Sequence, residues 1–172
     1  MSAEIVVLRL VHILGGIFWV GSGLFTSLFL MPALASSGPA AGQVMAGLQQ
    51  RRLFTILPVV ALLTILSGLR LMWIGSAGFA SAYFASASGR TLTAGGAASI
   101  AAFALSLLVA RPAAVRAARL GASLAGAPEG ADRATLAAQL DALRRRGAVS
   151  SMLAVVLLVL AAAAMAVARY LG

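Results

Sequence analysis

The chain contains a single histidine, His12, which lies inside an apolar run from Ile5 to Leu34. An imidazole in that setting can ligate a metal or a tetrapyrrole, carry a proton near neutral pH, or hydrogen-bond to another helix. Arg9 precedes it by one helical turn, and Gly15, Gly16 and Trp19 follow. On a helix at roughly 100° per residue, Arg9, His12, Gly15, Gly16, Trp19, Ser22, Gly23, Thr26 and Ser27 share one arc of roughly 140°. The remaining circumference is Ile, Leu, Val and Phe, with Gly21 the one small residue off the arc. Such a helix turns an aliphatic back outward and a small, polar front toward other helices.

The chemistry that would use this front most fully is tetrapyrrole binding. Haem iron takes an axial histidine, with methionine as one partner. Met165 lies about as deep as His12 from the same end of the spans, and Met72 is at that end too. Arg9, Arg70 and Arg169 gather there and would pair the propionates. Gly15 and Gly16 would let a flat macrocycle lie against the backbone. The candidate cofactor-binding set is therefore His12, Met165, Met72, Arg9, Arg70, Gly16 and Trp19, with His12 the candidate metal ligand. Haem b is one candidate cofactor. A chlorophyll-type pigment, which needs one axial ligand, is another. One histidine and scattered methionines suit a copper site poorly. The competing reading makes His12 a histidine hydrogen-bonded within the bundle, to Ser or Thr of another helix. Trp19 is then a core aromatic, and the arginines reach the interface along their own stems. Arg70 is the weakest member of the set, because it points more than 100° away from the small face made by Thr64, Ser67 and Gly68.

Composition sets the class. Of 172 residues, 62% are hydrophobic and 10% charged, whereas a soluble domain carries about 25% charge. The absence of cysteine excludes disulfides, thiolate catalysis and cysteine metal sites. The net charge of +9 comes from thirteen arginines and no lysine. These arginines flank apolar stretches, which points to membrane topology and against nucleic-acid binding. The bias to Ala, Gly and Arg points to a GC-rich bacterial source. All four acids, Glu4, Glu129, Asp132 and Asp141, are placed outside the spans, so no paired carboxylate is available for catalysis or proton relay.

Four spans follow from hydropathy, at about 5–31, 53–74, 91–110 and 149–170. The first is longer than the core of a secretory signal and is expected to be retained. Pro32 is expected to end it, since the residue before a proline is pushed out of the helical region. A short amphipathic turn is expected at 43–52. Aromatics Phe79, Tyr83 and Phe84 suit the headgroup level, and Gly95 and Ser99 form a small pair in the third span. Segment 111–147 carries seven arginines and breaks at a turn, 126–130. Ala113, Ala117, Leu120 and Leu124 precede the turn at helical spacing, and Leu136, Leu140 and Leu143 follow it. This reads as a basic helical hairpin on the cytoplasmic side. Arg51 and Arg52 lie on that same side, so both termini face outward.

The motif L-x-x-V-H-I-L-G-G-I-F-W-V-G, residues 8–21, followed by Pro32-Ala33-Leu34, resembles the first helix of a broad group of small bacterial four-helix membrane proteins. S-G-L-R-L-M-W at 67–73 and A-M-A-V-A-R-Y-L at 164–171 extend the likeness over about half the chain. The group includes uncharacterised families, which are the most similar, and more distantly the copper-resistance D type and the J-type protoporphyrinogen oxidases. In the oxidases the resemblance implies a first-helix histidine for haem b, matched by His12, and a later lysine, for which this chain has no counterpart. That departure argues against oxidase activity and leaves tetrapyrrole binding open.

The expected fold is an all-α, polytopic bundle of four transmembrane helices with a cytoplasmic helical hairpin, in the bacterial inner membrane. Its partners are the lipid bilayer and a second copy or a larger membrane complex, with no nucleic acid. Three functions stand against one another: an accessory or structural subunit without catalytic machinery, a tetrapyrrole-binding redox protein, and a small transporter. The missing second histidine and missing lysine favour the first.

Overall fold

The computed structural model describes residues 2–38, 40–126 and 130–171. All regular structure among them is helical. Helix α1 spans Ala3–Ser36, α2 Ala40–Gln50 and α3 Leu53–Gly75. The single turn α4 is Ser81–Ala85, α5 runs Ala87–Ala125, and α6 runs Ala131–Val167 into a last tight turn at Ala168–Tyr170. Four helical stretches are long and apolar enough to cross a membrane: α1, α3, α5 and Asp132–Tyr170. Each contains one of the expected spans. The turn expected at 126–130 falls on Ala127, Pro128 and Glu129, which lie outside the described residues. The amphipathic turn expected at 43–52 is the eleven-residue helix α2. Arg52, in the left-handed region at φ 57°, breaks it from α3, and its carbonyl then accepts from the amides of Thr55 and Ile56.

Pro32 does not end α1. Met31 keeps helical dihedrals, φ −66° and ψ −42°, and the helix continues to Ser36. A π-helical turn over Thr26–Leu30 absorbs the proline, with the Met31 amide bonding back to the Thr26 carbonyl. A proline ring presses on the carbonyl four residues before it and offers no N–H. Widening the turn by one residue relieves that clash without breaking the helix. The same device recurs in α5, where Ser106–Ala110 is π-helical, the Arg111 amide bonds Ser106, and Pro112 follows. Both π turns begin at a hydroxyl residue six positions before the proline. As a result α5 and α6 run on past their apolar stretches and pair as a hairpin. Ala113 and Leu140 are buried there, and Gly147 sits over Ala113.

The four long helices form a ring in chain order. Helix α1 packs chiefly on α3 and α5 on α6, while lesser α3–α5 and α1–α6 contacts close the ring. Trp19 of α1 stands where all four meet, against Ala61 of α3, Ala102 of α5, and Ala154 and Leu158 of α6. It meets Phe103 edge to face, with ring centroids 6.2 Å apart. The rest of the core is mostly small: Ala61, Ala102, Ala154 and Ala161 are all but inaccessible, with Val155 and Leu158 the larger side chains buried beside them. Large apolar side chains point outward instead, among them Leu14, Ile17, Phe29 and Leu160, each more than half exposed.

The link from α3 to α5 is tied down locally. Ser76 Oγ accepts from the Phe79 amide at 2.8 Å, and Trp73 stacks edge-on against Phe79 at 5.1 Å. Ser86 then caps α5 by accepting from the Gly89 amide.

Close approach of α6 makes Gly95 sensitive to side-chain size. A β-carbon on Gly95 of α5 would lie 3.2 Å from the Ala161 carbonyl and 3.3 Å from the Ala164 methyl of α6. Gly21 has nothing within 4 Å. Gly95→Leu is expected to destabilise the protein by about 1–3 kcal/mol through overpacking, read from denaturant titration in detergent. Gly21→Leu in the same assay is expected to leave stability within about 0.5 kcal/mol.

Candidate functional site

The expected polar front of α1 is the face that packs. His12, Gly15, Gly16, Ser22, Gly23, Thr26 and Ser27 are partly buried and Trp19 is buried, while Arg9, one turn above His12, is exposed. On α3 the facing positions are Thr64, Ser67 and Gly68, with Thr64 and Ser67 both buried.

His12 is fixed by this face. Its Nδ1 lies 2.8 Å from the backbone carbonyl oxygen of Thr64. A carbonyl only accepts, so Nδ1 carries a proton, and the tautomer this bond selects is the one whose Nε2 has a lone pair. The single Ser67 hydroxyl proton is shared between Leu63 O at 2.7 Å and this same carbonyl at 3.0 Å. Thr64 Oγ1 turns inward on its own helix, donating to Val60 O at 2.8 Å. These hydroxyls satisfy themselves on carbonyls one turn back, which leaves the Thr64 carbonyl as the polar atom offered to α1.

Glycines set how close the two helices come. A β-carbon on Gly15 would collide with Thr64 Oγ1, and one on Gly16 would sit 3.9 Å from Thr64 Cγ2. On the other side, a β-carbon on Gly68 would lie 2.6 Å from Cε1 and 3.0 Å from Nδ1 of His12. The imidazole therefore rests on the bare backbone of Gly68. Glycine at both positions is what lets a ring and a hydroxyl fit between two main chains.

The other candidates are placed in different interfaces. Met72, one turn beyond Gly68, puts its Cε against Gly96 between α3 and α5. Met165 puts its Cγ against Gly95 between α5 and α6. Trp19 lies at the centre of the core, a full two turns from His12. Arg70 is held by Glu4 across α1 and α3, with Nη2 to Oε1 at 2.7 Å and Nε to Oε1 at 2.8 Å, both side chains half exposed. Arg169 lies over the Tyr170 ring, 4.5 Å from its centre, and donates to the Tyr170 hydroxyl. Among the described residues, no three His, Asp or Glu side chains gather into a metal site.

One partner was not foreseen. Glu4, expected to lie outside the span, sits in the first turn of α1. By the same angular count it falls at the edge of the polar arc, which is the signal that pointed to it. Arg70 sits off the Thr64 face as expected, and its long stem carries the guanidinium back to Glu4. No family model matches the chain, and neither a curated protein nor a solved structure is similar enough to match it.

The contact between His12 and Gly68 is testable by a cycle. Gly68→Ala is expected to cost about 1–3 kcal/mol in the wild type and close to nothing in a His12→Ala background. Additive losses in the two backgrounds would show that the added methyl strikes something other than the ring.

Proposed function

We propose that the protein is an integral membrane protein of the bacterial inner membrane, with both termini outside, serving as a non-enzymatic accessory or structural subunit of a membrane assembly. The membrane reading is supported by four long apolar helices whose large side chains point outward around a core of small residues. It is supported also by the concentration of seven arginines in residues 111–147. The observation that carries the accessory reading is that four of the chemically capable side chains are engaged in contacts between helices. His12 serves the α1–α3 interface, Met72 the α3–α5 interface and Met165 the α5–α6 interface, while Arg70 is engaged by Glu4.

One observation favours a second reading. A histidine that ligates a metal characteristically donates its other ring N–H to a carbonyl. The bond from His12 to Thr64 has that form and leaves Nε2 with a lone pair. In this reading His12 is the axial ligand of haem b or another tetrapyrrole, as the resemblance to the J-type oxidases implies.

Absorption spectra of the detergent-purified protein, oxidised and reduced, separate the two. The accessory reading expects no Soret band in wild type, a His12→Ala variant that differs only in stability, by about 0.5–1.5 kcal/mol, and migration in a larger complex after gentle extraction. A Soret band in wild type that His12→Ala abolishes would overturn it in favour of the tetrapyrrole reading.

A further inference from the structure

Where α5 leaves its π turn and meets α6, the surface holds a crevice of about 270 Å³. Leu108, Val109 and Pro112 of α5 and Leu143 of α6 make its apolar wall, and Arg116 of α5 and Arg146 of α6 stand over it. We propose that this crevice binds an anionic phospholipid, with the headgroup phosphate held between Arg116 and Arg146 and an acyl chain lying along Leu108. The inference rests on the membrane reading above and goes beyond it by naming a ligand and a place.

Three features carry it. The first is level. Both helices change from apolar to basic here: α5 at Arg111, and α6, read backwards, at Arg146. Gly147 opposite Ala113 shows that the two transitions are side by side, since a β-carbon on Gly147 would lie 3.8 Å from the Ala113 methyl. A crevice at that level sits where the headgroups of a bilayer begin. The second is charge. Arg116 and Arg146 come from different helices, and among the described residues neither forms an ion pair, whereas Arg144 has Asp141 at 3.9 Å. Two arginines lining one space match a phosphate, which can accept bidentate bonds from each guanidinium. The third is the apolar wall. Leu108 is 70% exposed, the most open of the large aliphatic side chains. A free phosphate would gain nothing from it, while a lipid covers it. Charge complementarity together with this wall selects an anionic lipid over a soluble anion.

The π turn explains why the crevice exists. Pro112 forces the widened turn at Ser106–Ala110, and the bulged backbone carries Leu108 and Val109 into the crevice wall.

The test is a titration of the full-length protein in neutral detergent, read by native mass spectrometry. Phosphatidylglycerol, phosphatidylcholine and inorganic phosphate are the separate probes. Phosphatidylglycerol is expected to bind wild type at least about tenfold tighter than phosphatidylcholine. The double variant Arg116→Gln/Arg146→Gln is expected to lose about 30-fold in phosphatidylglycerol affinity. The charge-matched double Arg119→Gln/Arg145→Gln, outside the crevice, is expected to lose less than about threefold. Equal losses in the two doubles, or no preference for phosphatidylglycerol in wild type, would overturn the site. Displacement of the lipid by millimolar inorganic phosphate would overturn the lipid as its ligand and assign a soluble phosphate instead. Alkaline washing of membranes keeps the two proposals apart. Release of the chain overturns the membrane reading and this inference with it, whereas retention without lipid preference overturns this inference alone.

Discussion

Everything in this fold depends on how closely four backbones can approach around one indole. Trp19 is the one aromatic of the buried cluster where α1, α3, α5 and α6 meet, with partly buried Phe103 edge-on beside it, and its buried neighbours there are mostly alanines. A large side chain at any of those alanines would push one helix off the others. Beyond Trp19 the contacts are small against small: Gly15 on Thr64, Gly95 on Ala164, Gly147 on Ala113. In lipid this economy makes physical sense, because the surroundings are as apolar as leucine and no hydrophobic drive separates inside from outside. Association must then come from dispersion at short range and from a few polar bonds, and short range is what glycine and alanine provide. In such surroundings the outward-facing large aliphatics would cost nothing.

The single imidazole follows the same rule. A helix in a regular ladder offers neighbours almost no polar atom, since each carbonyl is already bonded. The second lone pair of the Thr64 carbonyl is one of the few acceptors left, and His12 reaches it because Gly68 removes the side chain that would stand in the way. Ser67 shares that carbonyl, so one oxygen gathers two side-chain donors beyond its helix partner. This arrangement binds α1 to α3 whatever occupies Nε2, which is why one geometry is compatible with both a packing histidine and a ligand.

Much of this was legible from residue types alone. The angular count around α1 placed His12, Gly15, Gly16 and Trp19 on the packed side, and the count on α3 gathered Thr64, Ser67 and Gly68 on one packing face, though not against which helix. The alternation of Ala113, Ala117 and Leu120 with Leu136, Leu140 and Leu143 announced the pairing of α5 with α6. What a helical wheel lacks is register between helices. It puts Met72, Met165 and His12 at one end of the bundle, and it cannot say that three different interfaces receive them. It also treats side chains as spokes, so Arg70 looked misplaced until its stem was allowed to carry the charge to Glu4. The proline at position 32 was misjudged for a related reason. The preference against a helical residue before proline is local, whereas the π turn that defeats it spreads the strain over five residues.

Charge arithmetic ties the two ends of the molecule together. Thirteen arginines face four acids, so at least nine guanidinium groups must find water or an anion from outside the chain. At the end of the bundle near the N-terminus Glu4 takes Arg70, and in the α5–α6 hairpin Asp141 takes Arg144. The excess is concentrated in that hairpin, where residues 111–147 hold seven arginines against three acids. Orientation in a membrane needs only that this excess lie on one side, and any scatter of arginines would serve. The structure is more specific than orientation requires. It brings one arginine from each of two helices over an apolar wall and makes that wall with a proline-induced bulge. A charge that merely oriented the chain would have no use for the wall. A charge that holds a lipid needs both.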